Sequence, residues 1–319
     1  MEKRFDVVAI GELLIDFTPL KFAPGNVAYE RNPGGAPANV LVAAEKLGNT
    51  TAIISKVGND IFGRFLKSTL EAEHIDTRGL VVADTNPTTL AFVSLDSKGD
   101  RTFEFLRKNS ADIMLSKEEL DIDLLNSCRV LHFGSVSLTD EPSRKATLEA
   151  VSIAKRAGAY ISYDPNYRPL LWENQDMAVR LMRDALQYAD IVKVADDEIG
   201  LITGEREYSA AAQKILEAGA KYVFVTLGRE GCYYASSNGE NGYVPGFEVN
   251  TVDATGAGDC FTGCVLNGLL NCEFSPAEGE LLAIVKLANA AGALSTTRRG
   301  AIPAMPERSE IERLKNKIH

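Results

Sequence analysis

Short apolar runs alternate with stretches of helical periodicity along most of this 319-residue chain. The runs are compact and mainly apolar, as expected for strands that are buried on both faces of a sheet. They span residues 7–10, 52–57, 130–133, 160–163, 191–194 and 222–226. Helical patterns lie between them, one of them running from about Glu141 to Gly158. Alternating strands and helices predict an α/β fold, with a doubly wound, mostly parallel sheet and helices on both faces.

One part of the chain departs from this alternation. Residues 88–95 and 101–107 are β-prone, and the short polar segment 96–100 between them predicts a hairpin. With the segment after Glu12, this hairpin is expected to form a small β-sheet lid that closes over a substrate; an ordinary edge hairpin is the alternative. We therefore assign residues 1–11, 34–86 and 112–319 to an α/β core, and residues 12–33 and 87–111 to the lid.

Further helices have recognisable ends. Ser116 and Glu119 have the spacing of a capping box, and residues 38–47 read as a helix that ends at Gly48. Residues 307–319 carry Ile311, Leu314 and Ile318 at helical spacing, which predicts a closing helix.

Composition and charge narrow the range of functions. The chain has 45% hydrophobic and 24% charged residues, as an ordinary globular protein does. Its net charge of −10 argues against a general nucleic-acid or membrane surface, so a site for an anionic ligand must be locally basic. Five scattered cysteines without CxxC spacing indicate reduced thiols, and no signal peptide or membrane-spanning run is apparent. We expect a cytoplasmic protein.

The segment NTVDATGAGDCFTG, residues 250–263, predicts a site for an anion. It reads as a strand end that enters a helix running from about Gly256 to Leu270. Gly256, Ala257 and Gly258 would leave the first amides of this helix open to a ligand such as phosphate. No Walker loop occurs in the chain, and Phe261 stands where a dinucleotide fingerprint requires glycine.

Asp259 is unexpected beside an anion. An acid in a first helical turn commonly complements the helix dipole, and that role explains the residue taken alone. A hydroxyl that attacks a phosphoryl group, however, needs a nearby proton acceptor.

A second glycine-rich stretch, NPGGAPANVLVAAEKLG, spans residues 32–48. Gly34 and Gly35 permit close approach of the backbone to a ligand, while Asn39 could either cap the following helix or bind a polyol. Asp16 is an acid among apolar neighbours, which is most simply explained by a polar ligand such as a pair of sugar hydroxyls.

These two stretches resemble the signature segments of the PfkB, or ribokinase-like, carbohydrate kinases. Further resemblance lies in VAIGELLIDF at 8–17, VGNDIFG at 57–63, DPNYRPLLW at 164–172, VTLGREG at 225–231 and ANAAGALSTTRRGAIPAMP at 288–306. The segments sample most of the chain and occur in the order of the family. Within this family, the segments GGAPANV and LIDFTP together most resemble bacterial fructokinases.

The resemblance implies a Rossmann-like core with a β-sheet lid, and ATP-dependent phosphorylation of a hydroxymethyl group with Mg²⁺. Asp259 matches the catalytic base of the family, and the amides of Gly256, Ala257 and Gly258 match its anion hole. Fructose is the expected sugar, with ketodeoxygluconate or another sugar as alternatives. A sugar-sensing protein on a kinase scaffold is the non-enzyme alternative, and a homodimer formed through the lid is expected by resemblance only.

The remaining matches are assigned residue by residue. Sugar-binding positions are matched by Asp16, Gly34, Gly35, Asn39, Arg107 and Arg168. Nucleotide-binding positions are matched by Lys193, Thr226, Gly228 and Asn289. A loop that holds a monovalent cation such as K⁺ is matched by Asp253, Thr255, Ser295, Arg298 and Gly300. Where the family often has NxxE, this chain reads Ala195 to Glu198, so Glu198 would act on Mg²⁺ through water.

Overall fold

The structure, a computed structural model, describes residues 3–20, 28–95 and 101–316. The strands are β1 Phe5–Ile10, β2 Leu14–Leu20, β3 Ala28–Gly34, β4 Thr51–Gly58, β5 Asp76–Ala83, β6 Thr89–Leu95, β7 Arg101–Leu106, β8 Cys128–Gly134, β9 Tyr160–Asp164, β10 Ile191–Ala195, β11 Tyr222–Thr226, β12 Gly231–Ser236 and β13 Asn241–Pro245. The α-helices are α1 Ala36–Glu45, α2 Ile61–Ala72, α3 Ile122–Ser127, α4 Ser143–Arg156, α5 Gln175–Leu186, α6 Asp196–Thr203, α7 Tyr208–Glu217, α8 Ala257–Asn271, α9 Glu280–Ser295 and α10 Arg308–Asn316.

The apolar runs assemble into one large sheet. Over the described residues its strand order is β13-β12-β11-β10-β9-β8-β1-β4-β5. Neighbouring strands from β11 to β5 pair in parallel, and β12 pairs antiparallel with both β11 and β13. The predicted fold class, a mostly parallel doubly wound sheet, is confirmed.

Helices cover both faces of this sheet because its strands are apolar on both sides. In β1, Val7 and Ala9 pack into one hydrophobic core with α1, α2, α8, α9 and α10. Val8 and Ile10 point the other way, into a second core with α3 to α7. This alternation follows from the two-residue period of a strand.

A separate small sheet stands apart from the large one, in the order β3-β2-β6-β7 over the described residues. β2 pairs antiparallel with β3 and parallel with β6, and β6 pairs antiparallel with β7 as the hairpin prediction requires. Phe17 of β2 stacks on Phe92 of β6 within this sheet, at 4.9 Å between centroids, and meets Phe62 of α2 edge to face, which joins the sheet to the core.

Some boundaries differ from the sequence predictions. α1 begins at Ala36, because Gly35 adopts a positive φ of 117° immediately before it and Pro37 fits the first turn. The capping box at Ser116 and Glu119 opens only one 3₁₀ turn, since Leu120 returns to an extended conformation. α10 buries Ile311, whereas Ile318 and the hairpin tip at 96–100 lie outside the described residues.

Candidate active site

The candidate site lies where the carboxyl edge of the large sheet meets the first turns of α1 and α8. Asp164 and Thr226 are the last residues of β9 and β11, and this edge is where parallel α/β sheets bind ligands. Asp259 stands in the first turn of α8. The predicted site residues therefore come from distant parts of the chain.

Asp259 is 8% exposed. Nδ2 of Asn39, on α1, donates a hydrogen bond to its Oδ2 at 2.7 Å. Burial raises the pKa of Asp259 to about 6, with a further increase from the charge of Asp164, while the Asn39 hydrogen bond and the cations Lys193 and Arg168 oppose the rise. The side chain of Asn39 thus bonds to an acid on another helix and does not cap its own helix.

The start of α8 is shaped for close approach. Gly256, at φ 80°, is the left-handed residue that precedes the helix, and a Cβ there would lie 2.8 Å from that of Ala301. The Ala257 amide donates a hydrogen bond to the Ala254 carbonyl at 3.3 Å. A Cβ at Gly258 would lie 3.1 Å from Nζ of Lys193, so the glycine leaves the lysine beside the helix terminus.

Lys193 belongs to a buried charge cluster. Its Nζ lies 3.2 Å from Oδ2 of Asp164. Burial alone would lower the pKa of Lys193, but Asp164, Glu198 and Asp259 outweigh it and raise that pKa, so the ammonium stays charged. Glu198 accepts hydrogen bonds from the Tyr167 amide at 2.6 Å and the Ala195 amide at 2.9 Å.

A cavity of ≈ 1100 Å³ opens on one side of the α8 terminus. Ala257, Gly258, Thr226, Gly228 and Asn289 are among the residues that line it. Gly228, at φ 56°, has no other atom within 4 Å of the position a Cβ would take, so it leaves open space. Nδ2 of Asn289 donates to the carbonyls of Val244 and Pro245 at the end of β13, which fixes this wall.

Asp16 and Arg168 both interact electrostatically with Asp259. Burial raises the pKa of Asp16 to about 6, Arg168 lowers it, and Asp253 and Asp259 raise it further. A methyl group on Gly34 would overlap Oδ2 of Asp16, and one on Gly35 would overlap the Glu12 carbonyl oxygen. Both glycines therefore permit close contacts within the chain, and close approach to a ligand stays a prediction.

Arg107 is held in a network of its own. Its guanidinium, 7% exposed, bonds to the Asp112 carboxylate at 2.7 Å, the Thr139 hydroxyl at 2.7 Å and the Val136 carbonyl at 3.0 Å. These bonds give Arg107 a structural role that the sequence did not predict, and contact with the sugar stays a prediction.

The residues assigned to a cation loop are joined by hydrogen bonds. Asp253 accepts from the Thr255 amide at 3.0 Å and, through its other oxygen, from the Gly300 amide at 3.2 Å. Ser295 is buried and donates to the Gly292 carbonyl at 2.8 Å. The Arg298 side chain points away, to Glu310 of α10, so only its backbone is free to contribute to the loop.

Two acids in this region were missed by the sequence analysis. Asp164, whose position directly after a buried strand was the available signal, pairs with Lys193. Glu12, where the chain leaves β1 for β2, accepts from the Ala36 amide at 3.0 Å through Oε1, while its buried Oε2 has no hydrogen-bond partner among the described residues. Burial raises the pKa of Glu12 to about 7.

The structure also bears on metal, membrane and thiol chemistry. The part of the chain that the structure describes contains no group of three or more His, Cys, Asp or Glu side chains placed to hold a metal ion. Its helices include none that could cross a membrane. The five cysteines, all in described ranges, form no disulfide. His132 is a core residue bonded to Ser162, and burial lowers its pKa to about 3.

Comparisons with known proteins match nearly the whole chain. The model of the pfkB family carbohydrate kinases matches residues 4–308. Fructokinase-1 of Zea mays is 42% identical over 317 residues, which is 97% of each protein. A fructokinase structure from Xylella fastidiosa with bound ATP has a TM-score of 0.91 at 31% identity, over 99% of each chain. A Vibrio cholerae fructokinase with fructose, ADP and calcium has a TM-score of 0.87 at 34% identity, over 98% of this chain and 99% of that one. This chain belongs to the pfkB family of carbohydrate kinases.

Proposed function

We propose that this protein is an ATP-dependent fructokinase that converts D-fructose to fructose 6-phosphate. Its similarity to fructokinases, about 40% identical over nearly the whole chain, supports this substrate. The position of Asp259 carries the proposal. It stands in the first turn of α8, beside a cavity of ≈ 1100 Å³, and interacts electrostatically with Asp16 and Arg168.

Asp259 is proposed as the base of the transfer. As the 6-hydroxyl of the sugar attacks the γ-phosphorus of ATP, its proton passes to the Asp259 carboxylate. The new O–P bond forms while the bond between that phosphorus and the β–γ bridging oxygen breaks, and ADP leaves with that oxygen. The Gly256 and Gly258 amides and the Lys193 ammonium stabilise the negative charge on the transferred group, and the Ala257 amide would join them on leaving the Ala254 carbonyl.

The two substrates are assigned to opposite sides of this helix terminus. The cavity with Thr226, Gly228 and Asn289 takes ATP, whose triphosphate then meets the positive end of α8. The sugar lies against Asp16, Gly34, Gly35 and Asn39, with Arg168 and the more distant Arg107 as the basic residues of that side. Buried carboxylate and amide oxygens fit the hydroxyls of a polyol.

Two cations are part of the proposal. Mg²⁺ would neutralise the ATP phosphates, with Glu198 holding its waters; the carboxylate, 6% exposed beside Lys193, has the donor chemistry for this. A monovalent cation such as K⁺ would take backbone carbonyls in the loop of Asp253, Thr255, Ser295, Arg298 and Gly300. The bonds that fix this loop support the assignment.

The small sheet is proposed to act as a lid over the sugar. Residues 12–33 and 87–111 would form it, and the remaining residues the nucleotide- and substrate-binding core. Its outer residues Tyr29 and Leu106 are 40% and 54% exposed. Burial of such side chains against a second lid would give a homodimer, which light scattering would detect by mass.

An ADP-release assay tests the function. ATP and Mg²⁺ are supplied with fructose, ribose, glucose, ketodeoxygluconate or adenosine, with and without K⁺. Fructose should give the highest kcat/KM, and Asp259→Asn should lower kcat by about 10²-fold or more with unchanged ATP affinity. Asp184→Asn, on the exposed face of α5, is the matched control and should keep full activity. Another preferred sugar would refute the substrate, and an active Asp259→Asn enzyme would refute the base.

A further inference from the structure

Asn39 connects α1 to the acid of α8 inside the candidate site. Its Nδ2 donates to Oδ2 of Asp259 at 2.7 Å, and the two residues are 4% and 8% exposed. Among the described residues, Oδ1 of Asp259 accepts no hydrogen bond. The carboxylate is therefore asymmetric, with one oxygen held by an amide and the other available.

Within the described part of the chain, only the nitrogen of the Asn39 side-chain amide has a hydrogen-bond partner. Its Oδ1 is buried and has no hydrogen-bond partner among the described residues. Rotating the amide would aim that oxygen at an ionised carboxylate, which is repulsive, so the donor must face Asp259. A buried carbonyl oxygen without a donor is costly, and a hydroxyl group of a bound ligand would satisfy it.

Close packing of the two helices keeps this pair in place. A Cβ at Gly263 of α8 would lie 2.7 Å from both the Ala43 Cβ and the Val40 carbonyl oxygen of α1. The backbones thus approach as closely as glycine allows one turn beyond Asp259. Asn39 and Asp259 stand on elements that cannot move apart without loss of this packing.

We propose that Asn39 is a positioning residue for the base: it holds Oδ2 of Asp259 and leaves Oδ1 to accept the proton, while the sugar contact already assigned to Asn39 would use its own Oδ1. This inference rests on the proposed kinase function. It makes sugar binding and orientation of the base depend on one side chain.

Other charged groups around Asp259 stay in place when Asn39 is changed. Asp164 of β9 raises the pKa of Asp259, whereas Lys193 of β10 and Arg168 in the loop after β9 lower it. Asp16 of β2 also interacts with Asp259, whose charge raises the pKa of Asp16. The Asn39 hydrogen bond lowers the pKa of Asp259, so its removal should raise that pKa.

The test compares Asn39→Ala, and the closer-sized Asn39→Leu, with wild type and with the Asp259→Asn background. In either single variant we expect the acidic limb of kcat/KM to move up by about one pH unit and kcat to fall about 10-fold or more. In the Asp259→Asn background the same changes should alter kcat less than about threefold, because the group they act through is gone.

Asn267→Ala is the matched control. Asn267 also joins α8 to the chain that follows α1, through hydrogen bonds to Leu47 and Asn49, but it lies about two turns further along α8 than Asp259. It should leave the pH profile unchanged.

A residue that only binds sugar would behave differently. Its loss would raise the sugar KM, leave the acidic limb in place and cost as much kcat in the Asp259→Asn background, and this result would overturn the proposal. The carboxyl ¹³C titration of Asp259, identified by its loss in Asp259→Asn, measures the pKa of this residue without turnover. If wild type phosphorylates no sugar, the proposed function fails; if the titration of Asp259 is unmoved by Asn39→Ala, the positioning role fails.

Discussion

Asp259 combines two opposing influences on a single carboxyl group. Burial raises its pKa to about 6, while its place in the first turn of α8 and the Asn39 amide favour the ionised form. A base with a pKa a little below neutral is mostly ionised at pH 7 and still accepts a proton readily. The environment of this residue therefore suits general base catalysis near neutral pH.

The pH dependence of the reaction follows from this pKa. Only ionised Asp259 can accept a proton, so kcat/KM for fructose should fall about tenfold per pH unit below about pH 6 and level off above it. Steady-state rates measured from pH 4.5 to 8.5 at subsaturating fructose provide the check. A flat profile down to pH 5 would show that another group limits the reaction.

Gly34 makes a prediction about the sugar side. In Gly34→Ala the new methyl group would overlap Oδ2 of Asp16, so Asp16 must move from its position. We expect the KM for fructose to rise by about tenfold or more with little change in the KM for ATP, since the cavity on the other side of α8 is untouched. Titrating each substrate separately distinguishes the two. An unchanged fructose KM would place Asp16 outside the sugar site.

At the scale of elements, the close contact of α1 with α8 depends on Gly263. In Gly263→Ala the methyl group would lie 2.7 Å from Ala43 Cβ and Val40 O, and backbone cannot yield as a flexible side chain does. We expect unfolding free energy to fall by about 1–3 kcal/mol. Urea denaturation measures this.

Gly200→Ala is the control for that substitution. Gly200 lies inside α6 with its nearest neighbour, the Glu205 carbonyl oxygen, at 3.9 Å from the Cβ position. The same change should there stabilise the protein by about 0.5–1 kcal/mol, because alanine loses less backbone entropy on folding. Equal changes in unfolding free energy at both positions would mean that the close packing of α1 against α8 does not contribute to stability.

The sequence predicted elements whose signals are local. Buried parallel strands such as β8 and β10 show as apolar runs, and α8 shows through its glycines and helical period. β5 and β13 were not assigned, since their half-exposed patterns are weaker, and β12 was not assigned although nearly all of its residues are buried. The bond between Asn39 and Asp259 joins residues 220 apart, and no spacing rule reaches across that separation. Asp164 was missed because its partner Lys193 comes from a neighbouring strand.

At the scale of the whole molecule, ionisation of the acids in the candidate site lowers the stability of the folded protein. The pKa values of Glu12, Asp16 and Asp259 are about 7, 6 and 6, above the values near 4 expected for unfolded carboxyl groups. A raised folded-state pKa gives stability that is present below the unfolded pKa and is lost as pH rises through the folded one. The free protein should therefore lose stability as pH rises from about 4 to about 7, and the loss should level off above that.

Asp259→Asn isolates one of these contributions. The neutral amide keeps the shape without the buried charge, so at pH 8 the variant should exceed wild type by about 2 kcal/mol in unfolding free energy. At pH 5 the gain should shrink, because wild-type Asp259 is then mostly protonated. Urea denaturation of both proteins at the two pH values provides the comparison, and a gain that is equal at both would rule out this origin.

The parallel pairing of β2 with β6 has a consequence for the order of folding. β2 ends at Leu20 and β6 begins at Thr89, and β4, α2 and β5 of the large sheet lie between them in the chain. Closing so long a loop is entropically unfavourable until those elements have folded and brought its ends together. The small sheet is therefore a late and locally unstable cooperative unit, whose amide hydrogens should exchange with solvent before those of β1 and β8.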